Sequence, residues 1–172
     1  MKHTISVLVE QEFNALSRII GLFSGRGFKI DSISFGSAEE AGIARLTITT
    51  KGDENVINQI TRQLGKLVDV IRVTDLTHEP FVERELALIK VSATKKNKME
   101  IIQVVNVFRG AIIDISQKSM TIEITGKEDK VNAAIDMMYQ FGLIEVARTG
   151  SVALRREYVK LNIIKNKSKL ED

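Results

Sequence analysis

The chain has no cysteine, no tryptophan, one proline and two histidines among its 172 residues. The lack of cysteine excludes a disulfide framework and thiolate metal sites, and it fits a reducing compartment. No apolar run approaches the roughly 20 residues of a membrane span. The start, MKHTISVLVEQE, lacks a signal-peptide layout and reads directly as a strand, so the protein is expected to stay where it is made. Charge of one sign is also scarce. Lys and Arg number 25 against 22 Asp and Glu, a net charge of +3, too weak to argue for a nucleic-acid or membrane partner.

Catalytic groupings are missing too. His3 and His78 are not at metal-ligand spacing, and both read as surface residues. Ser17 and Ser24 fall on a helix with no neighbouring base and no nucleophile-elbow motif. The acidic pairs Glu39–Glu40 and Glu171–Asp172 read as solvated charge. The GRG at 25–27 follows a helix instead of preceding one, the wrong context for a phosphate loop, and reads as helix termination.

What is present is alternation and repetition. ISVLVE alternates Ile5, Val7 and Val9 with polar residues, the period of a strand. Residues 15–24 form a helix with Leu16, Ile19, Ile20 and Phe23 at helical spacing, closed by Gly25 or Gly27. KIDSISF and IARLTITT are strands joined by the turn EEAG. GDENVINQITRQLGKL is a second helix, with Val56, Ile57, Ile60, Leu64 and Leu67 on one face and Asp53 as N-cap. VDVIRVTDL is a fourth strand. HEPFVERE, with the single proline, reads as a linker.

The order then recurs: LALIKVSA (strand), KMEIIQVVNVF (helix), AIIDIS and MTIEIT (strands), KEDKVNAAIDMMY (helix), and LIEVARTG (strand), with SVALRR as its candidate extension. RLTITTKGDENVI aligns with SMTIEITGKEDKV at a constant offset, Gly52 over Gly126. The expected fold is α+β: two tandem ferredoxin-like βαββαβ domains, each with two helices on one face of a four-stranded antiparallel sheet. The expected boundaries are 1–78, a linker 79–85, 86–156, and a basic tail 157–172. RNA-recognition domains share this order but stack bases on strand aromatics, and the four strands concerned carry none. The helix-free sheet faces need cover, so self-association is expected.

Taken in order, HTISVLVE, ALSRIIGLFSGRGFKIDSIS, KLVDVIRVTDLT, FVERELALIKV, FRGAIIDIS and IEVARTGSVAL resemble the regulatory small subunit of acetolactate synthase (acetohydroxyacid synthase), over residues 1 to 156. The first half looks like an ACT domain, a fold that senses amino acids. The resemblance implies no active site in this chain. It implies a separate catalytic large subunit carrying thiamine diphosphate, Mg2+ and FAD, activated by the small subunit and restrained by valine in branched-chain amino acid synthesis. A free-standing amino-acid sensor is the alternative. The cytoplasm is the implied compartment, with a plastid stroma as alternative. The run VARTGSVALRR, with Arg148, Arg155 and Arg156, is a candidate contact with the catalytic subunit.

The resemblance also places an effector site at a homodimer interface between ACT domains. One wall is the corner from the first strand into the first helix, here Gln11, Asn14, Ala15 and Leu16. The other is the partner's lead-in to the second strand, here Lys29 and Ile30. Helix amides would receive the effector's carboxylate. This chain departs from the family there: Asn14 stands where the family has glycine, and Lys29 where it has asparagine. Asn14 is a strong capping residue whose oxygen can occupy those amides, and Lys29 would repel an ammonium group. Valine binding is therefore expected to be weakened or lost, with activation retained.

Overall fold

The structure, a computed structural model, describes residues 1–10 and 14–156. The elements run β1 (Lys2–Glu10), α1 (Ala15–Gly25), β2 (Ser32–Ser37), β3 (Ile43–Lys51), α2 (Glu54–Leu64) and β4 (Val70–Asp75). Then come β5 (Phe81–Ser92), α3 (Lys98–Val107), β6 (Ala111–Ile115), β7 (Ser119–Gly126), α4 (Glu128–Met138), a 3-10 turn (Tyr139–Phe141), β8 (Leu143–Arg148) and β9 (Val152–Arg155).

Both sheets are antiparallel and share one strand order, β2-β3-β1-β4 in the first and β6-β7-β5-β8 in the second. The expected α+β ferredoxin-like pair is thus the observed fold. The repetition reaches detail that the sequence alignment does not display. In each unit the pairing of first to last strand slips by a residue near the end of the first strand, between Leu8 and Val9 and between Lys90 and Val91. The aligned glycines have one job: a side chain at Gly52 or Gly126 would press on Val56 or Lys130, in the first turn of the following helix. Each unit has its own core. Ile5, Val7, Val9, Leu46 and Ile48 meet Ile19, Phe23, Ile57, Ile60 and Leu64 in the first. Ile89, Val91, Met120, Ile122 and Ile124 meet Ile101, Val105, Val131 and Met138 in the second.

Three expectations need correction. The supposed linker 79–85 is mostly strand, because β5 begins at Phe81. SVALRR does not simply extend β8. Chain direction changes at Gly150, and β9 pairs with the first part of β5, Phe81 with Arg155 through Arg84 with Val152. His3 is not at the surface. It is 1% exposed, follows the inward alternation of Ile5, Val7 and Val9, and bonds through Nδ1 to Thr77 Oγ1 at 3.2 Å. His78 is exposed and pairs with Glu54.

The β5–β9 ribbon leaves the second sheet and lies against the helix-free face of the first. Ala153 donates its backbone N–H to Thr47 Oγ1 at 3.3 Å, and Ser34 Oγ donates to the carbonyl of Thr149 at 2.8 Å. Thr4, Ser6, Thr47 and Thr49 on that face are buried. Hydroxyls can be buried there because they find partners: Ser32 and Thr49 bond at 2.7 Å, and Arg45 reaches Ser6 at 3.2 Å. Part of the cover that this face needs therefore comes from within the chain.

Candidate functional site

Backbone geometry at the β1–α1 corner begins with Glu10, whose N–H donates to the carbonyl of Asp69 at 2.9 Å. Gln11 lies outside the described residues. Asn14 is exposed and stands at the N-cap, its carbonyl accepting from Arg18 N–H at 3.0 Å. Its side chain makes no capping bond, because its backbone is in the helical region (φ −101°, ψ −8°), not the extended one that aims a cap oxygen at the first turn. The expectation that Asn14 occupies the helix amides is therefore corrected. Asp53 shows the contrast: extended at φ −89°, ψ 172°, it accepts from Val56 N–H at 2.9 Å. Ala15 is buried and Leu16 packs on the core, so these two anchor the corner.

No acidic residue sits in the first turn of α1, where one would offset the positive helix end. A buried acid beside the corner was missed in the sequence. Asp69 is 5% exposed and takes both oxygens to Arg18 Nη1, at 3.0 and 2.8 Å. Its signal was an acid between two valines in VDV, where a strand would otherwise hide an apolar residue.

The second wall lies elsewhere in the same chain. Gly27, at φ +68°, ends α1, and Phe28 N–H returns to the carbonyl of Phe23 at 3.0 Å while the two rings meet edge to face. Lys29 is exposed, with no ion pair among the described residues, and its carbonyl accepts from Thr50 Oγ1 at 2.5 Å. Ile30 packs on the core. Glu10 pairs with Ile43, whereas Lys29 is tied to Thr50. Seven residues of β3 separate those anchors, roughly 23 Å at about 3.3 Å per residue. One copy of the chain does not bring the two walls together.

The arginines nominated as outward contacts are largely engaged inside the molecule. Arg148 donates from Nε and Nη2 to the two oxygens of Glu85, at 2.6 and 2.9 Å, and Glu85 is 4% exposed. The Glu85 hydrogen bond raises the Arg148 pKa against an opposing effect of burial. Arg155 pairs with Glu79. Arg156 is exposed, and its N–H donates to the carbonyl of Pro80 at 2.9 Å. Lys2 of β1 pairs with Glu128 of α4, binding the two units together. That hydrogen bond holds the Glu128 carboxyl below its ordinary range, against burial. Among the described residues, no cluster of His, Asp and Glu could hold a metal ion, and no helix is long and apolar enough to cross a membrane.

Two crevices flank the seam. A polar one of about 330 Å³ is lined by Asp31, Ser32, Thr49, Glu85, Glu128, Arg148 and Gly150. A more apolar one of about 510 Å³ runs between β2 and the ribbon, past Phe35, Val82, Val152 and Leu154.

Residues 5–72 match the AHAS small subunit-like ACT domain, and residues 84–157 match the small subunit of acetolactate synthase. A probable acetolactate synthase small subunit from Archaeoglobus fulgidus is 49% identical over 156 residues, covering 91% of this chain and 98% of its own length. The acetolactate synthase small subunit of Aquifex aeolicus is 47% identical, with 91% and 82% covered. The crystal structure of the small subunit from Thermotoga maritima superposes with a TM-score of 0.85 at 45% identity, over 92% of this chain and 99% of that one. With this coverage and the shared two-sheet fold, the chain belongs to the acetolactate synthase small-subunit family.

Proposed function

We propose that this chain is the non-catalytic regulator of a thiamine-diphosphate acetolactate synthase, whose large subunit it activates and whose response to valine or a related amino acid it carries. The carrying observation is the placement of the two walls. β2 is an edge strand of the first sheet, with one side unpaired among the described residues. β2 runs antiparallel to β3, so Ser32 lies beside Thr49 and Ser37 beside Ala44, next to the corner end of β1. Pairing two copies antiparallel through β2 sets the partner's Lys29 and Ile30 at this copy's β1–α1 corner. A twofold dimer thereby joins two half-sites that one chain keeps apart. Ile20 on α1 and Phe35 on β2 are each 44% exposed, which suits them to such an interface.

The N-terminal end of α1, with no capping bond from Asn14 and no acid in its first turn, suits an effector carboxylate. Lys29 opposes the effector's ammonium group, so affinity is weaker than with a neutral side chain at that position. Asn14 contributes no capping bond to that weakening. The deciding experiment assays the catalytic subunit, carrying thiamine diphosphate, Mg2+ and FAD, with and without this chain, each with and without valine. Activation that valine reduces supports the reading. No activation refutes it, and activation indifferent to every branched-chain amino acid refutes its feedback half. Co-purification with the catalytic subunit separates it from a free-standing sensor, which would come down alone.

A further inference from the structure

The proposed effector wall at Lys29–Ile30 lies two residues before Ser32, and Ser32 touches the second unit. We infer that the turn at residues 149–151 reads the position of β2 and passes effector occupancy to the C-terminal unit; this rests on the regulatory function proposed above.

The turn is fixed on one side and pressed on the other. Thr149 N–H donates to the carbonyl of Leu86 at 3.1 Å, and Leu86 N–H donates to Thr149 Oγ1 at 3.1 Å, so the turn is clamped to β5. On its other side, the Thr149 carbonyl accepts from Ser34 Oγ at 2.8 Å. Gly150 is buried at φ +73°. A side-chain carbon there would stand 3.0 Å from Ser32 Cβ and 3.2 Å from the hydroxyls of Ser32 and Ser34. Glycine is required twice over, by the left-handed backbone and by the closeness of β2.

The turn is also where the chain passes from one sheet to the other. Before it, β8 belongs to the second sheet; after it, β9 lies on the first. A shift of β2 driven by an effector at Lys29–Ile30 therefore bears directly on a segment clamped to β5, one of the two central strands of the C-terminal unit. Transmission runs through the close approach of Gly150 to Ser32 and Ser34 and the Ser34–Thr149 hydrogen bond, between the two crevices that flank it.

The test uses reconstituted holoenzyme and valine, with Ser34→Ala and Gly150→Ala. Four quantities are read: activation without valine, valine affinity of the isolated chain and of the holoenzyme by calorimetry, and valine inhibition of the holoenzyme. The expected result is activation and isolated affinity within about threefold of wild type, while maximal inhibition falls by about half or more. Coupling is reciprocal, so the change in valine affinity on adding the catalytic subunit shrinks in parallel. A merely structural role would not move that difference. Inhibition curves unchanged in both variants overturn the inference and leave the feedback reading intact. Wild-type chain that gives no heat with valine and no inhibition overturns both. If Gly150→Ala does not fold, Ser34→Ala, which removes one hydrogen bond and adds no bulk, decides alone.

Discussion

Replacing Arg148 by Met tests whether this arginine serves the fold or an external partner. Met keeps much of the aliphatic stem but removes two charge-assisted hydrogen bonds to Glu85. Glu85 then stays behind as a carboxylate that is 4% exposed and has lost its partner. Breaking a fully buried pair costs about 3–5 kcal/mol. The Arg148 side chain is 35% exposed, so water can enter the space it vacates, and the cost is discounted to about 2 kcal/mol. For a chain of this size that is a fall in Tm of roughly 4–8 °C. Urea unfolding followed by circular dichroism measures it. Glu85→Gln combined with Arg148→Met removes the stranded charge, so the double variant should recover about half of the loss, about 1 kcal/mol relative to Arg148→Met alone. Arg148→Met within about 0.5 kcal/mol of wild type, yet unable to activate the catalytic subunit, would refute the structural assignment and restore the outward contact.

Asp53→Ala should cost about 1 kcal/mol, because it removes a formed cap, whereas Asn14→Ala should cost a few tenths at most; paired urea titrations compare them. Lys2–Glu128 predicts a pH dependence. The folded Glu128 carboxyl lies below its ordinary value, so the pair's stabilisation is complete above the unfolded value of about 4.3 and is lost as pH falls through the lowered folded value. Thermal unfolding of wild type and Glu128→Gln should therefore differ at pH 6 and converge toward pH 3; a constant gap would contradict it. Phe35→Glu, on the exposed side of β2, should shift the molecular mass by light scattering toward that of one chain, and an unchanged mass counts against the β2 interface. Lys29→Asn should tighten valine binding by calorimetry several-fold, since an opposing charge near an ammonium costs on the order of 1 kcal/mol in a solvated site.

Alternation and helical spacing were enough to place the strands and helices of both units, because each element has one face that must meet a core. Gly27 and Asp53 were legible for the same reason: each solves a local backbone problem that its neighbours pose. The errors cluster where a residue's environment comes from far along the chain. His3 looks like a surface residue until Thr77 is folded beside it. Phe81–Arg84 looks like a linker until residues 152–155 pair with it. Asn14 has the composition of a cap but not the backbone angles of one. The corner itself was legible only through family resemblance, since none of its residues carries chemistry of its own. Arg148 and Arg155 read as outward contacts because Glu85 and Glu79, their partners, are more than 60 residues away in sequence.

The two units began from one plan and differ most in what became of their helix-free faces. On the first sheet that face is built from hydroxyls, Ser32, Ser34, Thr47 and Thr49 among them, and β9 and the 149–151 turn lie on it. A hydroxyl face is a poor surface for simple hydrophobic docking but a good one for a specified register, since each O–H must find its partner. On the second sheet the corresponding positions include Lys90 paired with Glu145, Glu123, and exposed Ala147. Among the described residues that face is half-buried to exposed. The ribbon therefore makes the contact between units asymmetric: the C-terminal unit reaches across to the N-terminal sheet, and no described element crosses back over its own sheet. For a regulator this matters. A flexible tether would let the N-terminal unit change without consequence, whereas a ribbon seated on hydroxyls ties the position of β2 to a strand at the centre of the other core.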